Sequence, residues 1–434
     1  MKLLKLTRNK SDLIASTISI PGSKSYTNRA LMMAALAKGE STLLSASPSR
    51  DSEALISALR LLGIRINTPD NQTIKIYGSG GNFSQYQGVI DVGPAGTTMR
   101  FLTALCSTIK GADVTLRGST RMHERPIDAL VDTLKQAGAG IDYLATTGCP
   151  PIRIRSNQTL TGADLTIDGS TSSQFVSAML LVSPLLGRGL ELTIVGHPTS
   201  NSYIDMTLQG MRDFGVEARN TEYRKITVTA GQSYSAREYR VEGDISGASY
   251  LWAIAAVSRG SVEISNINPQ SAQGDVRFPA LLEQMGCSVT YQDNSITVIG
   301  PKKLRAIEAN MELMPDTAQT LAVVAAYAQG DTVIRGLKTL RVKETDRIAA
   351  LHTELLKIGI NSTPGPDYLI VHGGAPVGAR ISTYEDHRMA MSFAVCAVAT
   401  DGMIIEEPSV VEKSFPDYWK VLEKIGIRGE DLQL

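Results

Sequence analysis

The sequence predicts an α/β protein of two similar domains, each assembled from three copies of one helix-and-strand unit whose first helix is buried. Three observations lead there: the length, a doubled glycine periodicity, and helical segments that are apolar on every side. At 434 residues the chain exceeds what one core ordinarily fills, so two or three domains are expected. Hydrophobic residues make up 43% and charged residues 20%, which suits packed interiors and excludes a disordered chain or a coiled coil. The 43 cationic side chains are balanced by 43 acidic ones, which argues against nucleic acid or a membrane surface as partner.

Glycines follow runs of small and apolar residues at Gly39, Gly111, Gly189, Gly260, Gly330 and Gly402, 70 to 78 residues apart. A second series closes amphipathic helix patterns at Gly63, Gly138, Gly215, Gly286, Gly359 and Gly426, at intervals of 67 to 77 residues. Glycine just past a helix end is the usual left-handed cap, and two interleaved series of one period mark six copies of a unit.

Along the chain, residues 2–7 and 14–20 read as two strands joined by a polar turn, ahead of the first complete unit. Each unit then runs through a first helix, a strand such as Ser261 to Ile264, a second helix, and two strands such as Ser288 to Tyr291 and Ser295 to Ile299. First helices such as Phe175 to Leu186 and Leu321 to Ala328 are apolar nearly all round, so they belong inside, with sheets and second helices outside. Little sequence follows Gly426, so the closing strands of the sixth unit are expected from the N-terminus. The N-terminal domain is then 21–241, and the C-terminal domain is 1–20 with 242–434. Two chain crossings, near Pro21 and Glu242, imply a cleft and a hinge.

Cys106, Cys149, Cys287 and Cys396 form no CxxC pair, and five histidines show no ligand spacing, so neither a disulfide framework nor a metal site is expected. Lys2, Lys5, Arg8 and Lys10 break up the N-terminal leucines before a signal peptide develops. The most apolar run, Phe175 to Leu186, is too short to span a bilayer. A cytoplasmic monomer is expected.

Polar residues collect at the openings of the first helices, among them Gly22-Ser23-Lys24-Ser25, Pro94-Ala95-Gly96-Thr97, Gly169 to Gln174, Pro315-Asp316 and Asp386-His387-Arg388. A helix N-terminus carries positive potential, so Lys24 and Arg388 sit unfavourably there by about 0.3 to 1 kcal/mol each. A bound phosphate or carboxylate is the natural offset. Taken singly, each feature also has a plainer reading. Arg29 can be a solvated charge on the face of Ser25, Glu344 and Arg347 an ordinary i, i+3 surface pair, and His387 a first-turn residue beside a capping Asp386.

The motifs Pro21 to Arg29 (PGSKSYTNR), Ala95 to Arg100 (AGTTMR), Glu124-Arg125-Pro126, Asp168 to Phe175 (DGSTSSQF), Glu242 to Tyr250, Arg341 to Arg347 (RVKETDR), Asp386 to Met391 (DHRMAM) and Lys413 to Tyr418 (KSFPDY) resemble, in order and over the whole chain, the 5-enolpyruvylshikimate-3-phosphate synthase family of enolpyruvyl transferases. The resemblance implies three βαβαββ units per domain, an inside-out α/β barrel with its helices within. It implies transfer of the enolpyruvyl group of phosphoenolpyruvate to the 5-hydroxyl of shikimate 3-phosphate, by addition and elimination through a tetrahedral intermediate, with no metal or organic cofactor. Carried over by motif, shikimate 3-phosphate is held by Lys24, Ser25, Arg29, Ser172, Ser173, Gln174, Ser200, Tyr203, Asp316 and Lys343. Phosphoenolpyruvate is held by Lys24, Gly96, Arg125, Gln174, Arg347, Arg388 and Lys413. Asp316 is assigned to the 5-hydroxyl proton and Glu344 to the methylene carbon, with Lys24 as electrostatic partner; His387 and Thr97 support the site.

The chain departs from the usual family pattern at Pro94, Phe101 and Thr339, the last where an asparagine commonly helps bind shikimate phosphate. Phe101 lies on the helix that positions Gly96 and Thr97, so weakened inhibition by glyphosate is expected. The competing readings are an enolpyruvyl transferase acting on UDP-N-acetylglucosamine, whose usual loop cysteine has no counterpart here, and a non-catalytic repeat scaffold, which 5% aromatic content disfavours.

Overall fold

The computed structural model describes residues 2–8, 14–158 and 160–432. The chain forms two compact units, Gly22–Val241 and Met1–Pro21 with Glu242–Leu434. In the first unit the α-helices are α1 (Lys24–Leu36), α2 (Arg50–Leu61), α3 (Gly96–Thr108), α4 (Asp128–Gln136), α5 (Ser173–Val182) and α6 (Ser202–Asp213). In the second they are α7 (Ile245–Ser258), α8 (Phe278–Gln284), α9 (Ala318–Ala325), α10 (Arg347–Lys357), α11 (His387–Ala394) and α12 (Tyr418–Lys424). No helix among the described residues is long and apolar enough to cross a membrane.

The odd-numbered helices are the buried ones. Every residue of α7 from Ile245 to Ala256 is buried, Trp252 and Tyr250 included, and α9 is buried throughout. Each large apolar side chain so enclosed contributes about 1.5 to 3 kcal/mol, and without a polar face these helices have no other stable position. Even-numbered helices are one-sided: α4 buries Leu130, Val131 and Leu134 and exposes Asp132, Lys135 and Gln136. Helix α5 stops at Val182, short of the expected Leu186, because Pro184 cannot continue the hydrogen-bond ladder; a 3-10 turn, Ser183–Leu185, follows.

Among the described residues six four-stranded sheets share one plan, a parallel pair followed by two antiparallel strands. In the second sheet the order is Gln87–Asp91, Asp113–Arg117, Ile152–Arg155 and Gly140–Tyr143. Val114, Leu116, Ile152 and Ile154 are wholly buried while their alternate neighbours face outward, the pattern of a sheet covering buried helices.

The N-terminal segment differs from expectation. Leu3–Arg8 lies between Met403–Glu406 and Ile427–Leu432, so the sixth sheet takes one strand from the N-terminus and one from the residues after Gly426. Ala15–Ile18 instead pairs in parallel with Ser261–Ile264 and opens the fourth sheet. Glu238–Arg240 does the same for the first sheet, pairing in parallel with Lys38–Leu44. The two N-terminal strands thus belong to different sheets. The polar turn expected between them falls on residues 9–13, outside the described residues.

Of the two glycine series, the second is the capping one. All six of its members have positive φ and follow the even-numbered helices, and at Gly63 the Ile64 N–H returns to the Leu59 carbonyl to close the helix end. Gly260 departs from its series. The left-handed residue there is Arg259, and a Cβ on Gly260 would come within 2.7 Å of the Ile14 carbonyl oxygen, so this glycine serves close packing.

Candidate active site

In the unit Gly22–Val241, Ser23 caps α1 by accepting from the Tyr26 N–H, and Lys24 is the first helical residue. Its Nζ lies 3.1 Å from Asp51 Oδ2, with the two side chains only 14% and 4% exposed. Asp51 sits in the first turn of α2, where the helix potential favours an anion.

Arg29, one turn further along α1, is buried and not solvated. Its guanidinium donates to Thr207 Oγ1 (2.8 Å), Ser177 Oγ (3.1 Å) and the carbonyls of Ser25 (3.0 Å) and Tyr203 (3.1 Å). The rings of Phe101 and Tyr203 flank it, with centroids at 5.7 and 5.8 Å. Every one of these partners is neutral. Burial without a counter-charge pushes the Arg29 pKa down to about 10.

Helix α3 opens with Ala95, which offers no side-chain cap, and Gly96. A Cβ on Gly96 would lie 2.6 Å from Arg125 Nη1 and 2.9 Å from Nη2, so the guanidinium rests on the bare backbone. Arg125 is buried, and its Nε has no hydrogen-bond partner among the described residues. A cation and an uncapped helix N-terminus therefore converge. Nearby on α3, Thr97 Oγ1 lies 3.4 Å from Gln174 Nε2. Ser172 caps α5, accepting from the Gln174 N–H, and Ser173 is buried as its first residue. Ser200 is buried at φ 55° and accepts from the Tyr203 N–H through its carbonyl at 3.0 Å.

The other unit joins its cations to acids. Arg347, 1% exposed, donates to Asp386 (2.7 Å to Oδ2, 3.3 Å to Oδ1), Asp316 Oδ1 (3.2 Å) and Glu344 Oε2 (2.9 Å). Arg388 reaches Asp316 Oδ2 at 2.8 Å, the Asp316 carbonyl at 3.1 Å and the Tyr250 hydroxyl at 3.1 Å. Lys413 Nζ lies 3.5 Å from Glu344 Oε1. Burial works to lower the Arg347 pKa, but Asp386, Glu344 and Asp316 outweigh it and the net shift is upward. Asp386 also caps α11 through the Arg388 N–H, and His387 Nδ1 lies 3.5 Å from its carboxylate. Lys343 is half-buried at the end of the 3-10 turn Lys338–Val342, the turn that carries the half-buried Thr339.

Two expectations change. Lys24 and Arg388 already meet protein carboxylates, so they do not by themselves demand an anionic guest; Arg29 and Arg125 meet none among the described residues. Glu344 and Arg347 form the expected i, i+3 pair, but it is largely enclosed, at 13% and 1% exposure, and belongs to a network of six charges with Asp316, Asp386, Arg388 and Lys413. The sequence reading missed Asp51 as partner of Lys24 and the grip of Asp386 on Arg347. The motif DHR signalled Asp386 as a cap; nothing local tied Asp51 to a lysine 27 positions earlier.

A sequence-family model described as EPSP synthase (3-phosphoshikimate 1-carboxyvinyltransferase) matches residues 8–422. The chain is 43% identical over 425 residues to a 3-phosphoshikimate 1-carboxyvinyltransferase of Serratia proteamaculans, covering 97% of this chain and 98% of that protein. It is 42% identical over 435 residues to the enzyme of that name from Actinobacillus pleuropneumoniae, covering 98% and 99%. A solved EPSP synthase from Acinetobacter baumannii superimposes with a TM-score of 0.84 at 26% identity over the full length of both chains.

Proposed function

The chain belongs to the EPSP synthase (3-phosphoshikimate 1-carboxyvinyltransferase) family, and from that membership we propose a division of its site residues between two substrates and two proton transfers. The reaction is transfer of the enolpyruvyl group of phosphoenolpyruvate to shikimate 3-phosphate; UDP-N-acetylglucosamine as acceptor and a non-catalytic scaffold are not favoured. The acceptor's charged groups go to the neutral-lined cations and hydroxyls of the first unit: Arg29 with Tyr203, and Ser172, Ser173 and Ser200 for the phosphate. Lys24, Ser25, Gln174, Asp316 and Lys343 complete that set, while Thr339 withholds a contact that an asparagine commonly makes.

The observation that carries the reading is Arg125 lying on Gly96 at an uncapped helix opening, with a buried Nε left without a partner among the described residues. Such a donor needs an anionic acceptor, and phosphoenolpyruvate supplies a carboxylate and a phosphate. Lys24, Gln174, Arg347, Arg388 and Lys413 share this substrate.

Addition requires the attacking hydroxyl to lose a proton while the methylene carbon gains one, and elimination reverses the second transfer. Asp316 takes the hydroxyl proton, and Glu344 serves the carbon. Arg347 binds both carboxylates, so it holds them in place. Lys24 stabilises the developing charge, with Thr97 and His387 supporting. The location is cytoplasmic and the enzyme acts as a monomer. Phe101, wholly buried against Arg29, supports weakened inhibition by glyphosate, and an inhibition constant typical of sensitive family members would overturn that point.

Phosphate release from phosphoenolpyruvate, measured with and without shikimate 3-phosphate in the wild type and Asp316→Asn, tests the whole assignment. Release should require the acceptor and collapse in the variant. Acceptor-independent release, or an unaffected variant, sinks it.

A further inference from the structure

Asp386 and Arg388 follow a turn built from unsuitable residues. The Asp386 N–H donates to the Thr383 carbonyl at 2.8 Å, and the two residues between them, Tyr384 and Glu385, have φ of 54° and 55°. Two successive left-handed residues are the mark of a type I′ turn, which ordinarily takes asparagine and glycine. A tyrosine and a glutamate remain there only if the surroundings hold them.

The holding group is Glu354 on α10. Its side chain is 0% exposed. One carboxylate oxygen accepts from the Ser382 N–H at 3.1 Å, and the other accepts from the Tyr384 hydroxyl at 2.6 Å and from Lys357 Nζ at 2.8 Å. Lys357 also donates to Ser382 Oγ at 3.2 Å. Burial and the adjoining carboxylate push the Tyr384 pKa upward, which keeps its hydroxyl a donor.

Seven residues earlier on the same helix, Arg347 grips Asp386. Seven residues are about two helical turns, so Arg347 and Glu354 lie on one face of α10 about 10 Å apart. They seize the segment 382–386 at its two ends. Its exit residue, Asp386, caps α11, and two positions later Arg388 binds Asp316.

We infer that Glu354 is a positioning residue for the phosphoenolpyruvate-binding arginines, clamping the strained turn Tyr384-Glu385 so that Asp386 and Arg388 are held in register with Arg347. This rests on the assignment of Arg347 and Arg388 to that substrate. Glu354 touches neither substrate; it acts through the turn.

Steady-state kinetics of Glu354→Ala, Tyr384→Phe and Arg388→Lys, with KM measured for each substrate, test it. Glu354→Ala should raise KM for phosphoenolpyruvate about 10-fold and leave KM for shikimate 3-phosphate within about 2-fold. Tyr384→Phe keeps the bond to Ser382 and should raise the same KM about 3-fold, and the double variant should be no worse than Glu354→Ala alone. A merely structural role would lower kcat with the folded fraction and leave both KM values unchanged, and that result overturns the inference. Arg388→Lys separates it from its premise. If that variant leaves KM for phosphoenolpyruvate unchanged, the substrate assignment fails; if it raises it while the other two do not, the assignment stands and the clamp is wrong. Should Glu354→Ala not fold, Tyr384→Phe decides by the same criterion.

Discussion

The two units repeat one plan of buried helices and covering sheets, yet their helix openings carry opposite chemistry. In the unit Gly22–Val241 the N-caps of the buried helices are Ser23, Ala95 and Ser172, and none of the three has an acid in its first turn. In the other, Asp244 caps α7, Asp316 lies in the turn that leads into α9, and Asp386 caps α11. The first arrangement puts no carboxylate at these helix caps and surrounds the buried Arg29 with neutral partners only. The second fills those ends with carboxylates and threads Arg347, Arg388 and Lys413 between them. One fold thus carries openings capped by hydroxyls or bare backbone in one unit and by carboxylates in the other.

Removing a carboxylate from the second half should have the largest effect. Asp316→Asn keeps the size of the side chain but loses the base and one anionic partner of both Arg347 and Arg388, so kcat should fall about 10³-fold with little change in thermal stability. A loss below about tenfold would mean that the acid of this opening is structural.

Ser172→Asp gives α5 the kind of cap found on α7 and α11, so the helix stays capped and the melting temperature should hold. The new carboxylate would oppose an incoming phosphate, and KM for shikimate 3-phosphate should rise about 100-fold. An unchanged KM would show that this opening receives no anion.

Much of this division was legible in the sequence, and what escaped was non-local. The six units could be read because helix caps are local: an amphipathic run ending at Gly63 or Gly426 announces itself within one turn. That Leu3–Arg8 and Ala15–Ile18 serve different sheets could not be read, because strand pairing across more than 240 residues leaves no mark in either partner. The site followed the same rule. Lys24 and Arg388 stood out as cations at helix openings, whereas Asp51 looked like any acid behind a serine cap. Sequence position also could not separate a cation paired with a carboxylate from one lined by neutral groups; the surroundings of Arg29, supplied by α1, α3, α5 and α6, made that distinction.

The acidic half also leaves a signature in stability. Asp275 is buried, its carboxyl bonded to the Ser246 hydroxyl, and burial together with the charge of Asp316 raises its pKa to about 7. A carboxyl raised in the folded state binds a proton there that the unfolded chain releases near pH 4. Its contribution to stability is therefore full below that pH and is lost as pH climbs toward 7, at up to about 1.4 kcal/mol per unit. Asp275→Asn mimics the neutral acid. Chemical denaturation at pH 5 and pH 8 should show the variant gaining on the wild type by about 3 kcal/mol between those values. A constant difference would place the proton elsewhere.

The smallest effect tests the first half at its tightest contact. Gly96→Ala inserts a methyl 2.6 Å from Arg125 Nη1, a distance no carbon tolerates, but the obstructed atoms are the far end of a long side chain and can move. The φ of Gly96 is not left-handed, and alanine favours a helix by about 1 kcal/mol over glycine, so the fold should be as stable or more so. What is lost is the seat of Arg125 against the helix opening. KM for phosphoenolpyruvate should rise about tenfold while that for shikimate 3-phosphate stays put. If the two constants move together, Gly96 and Arg125 do not form a separate anion site.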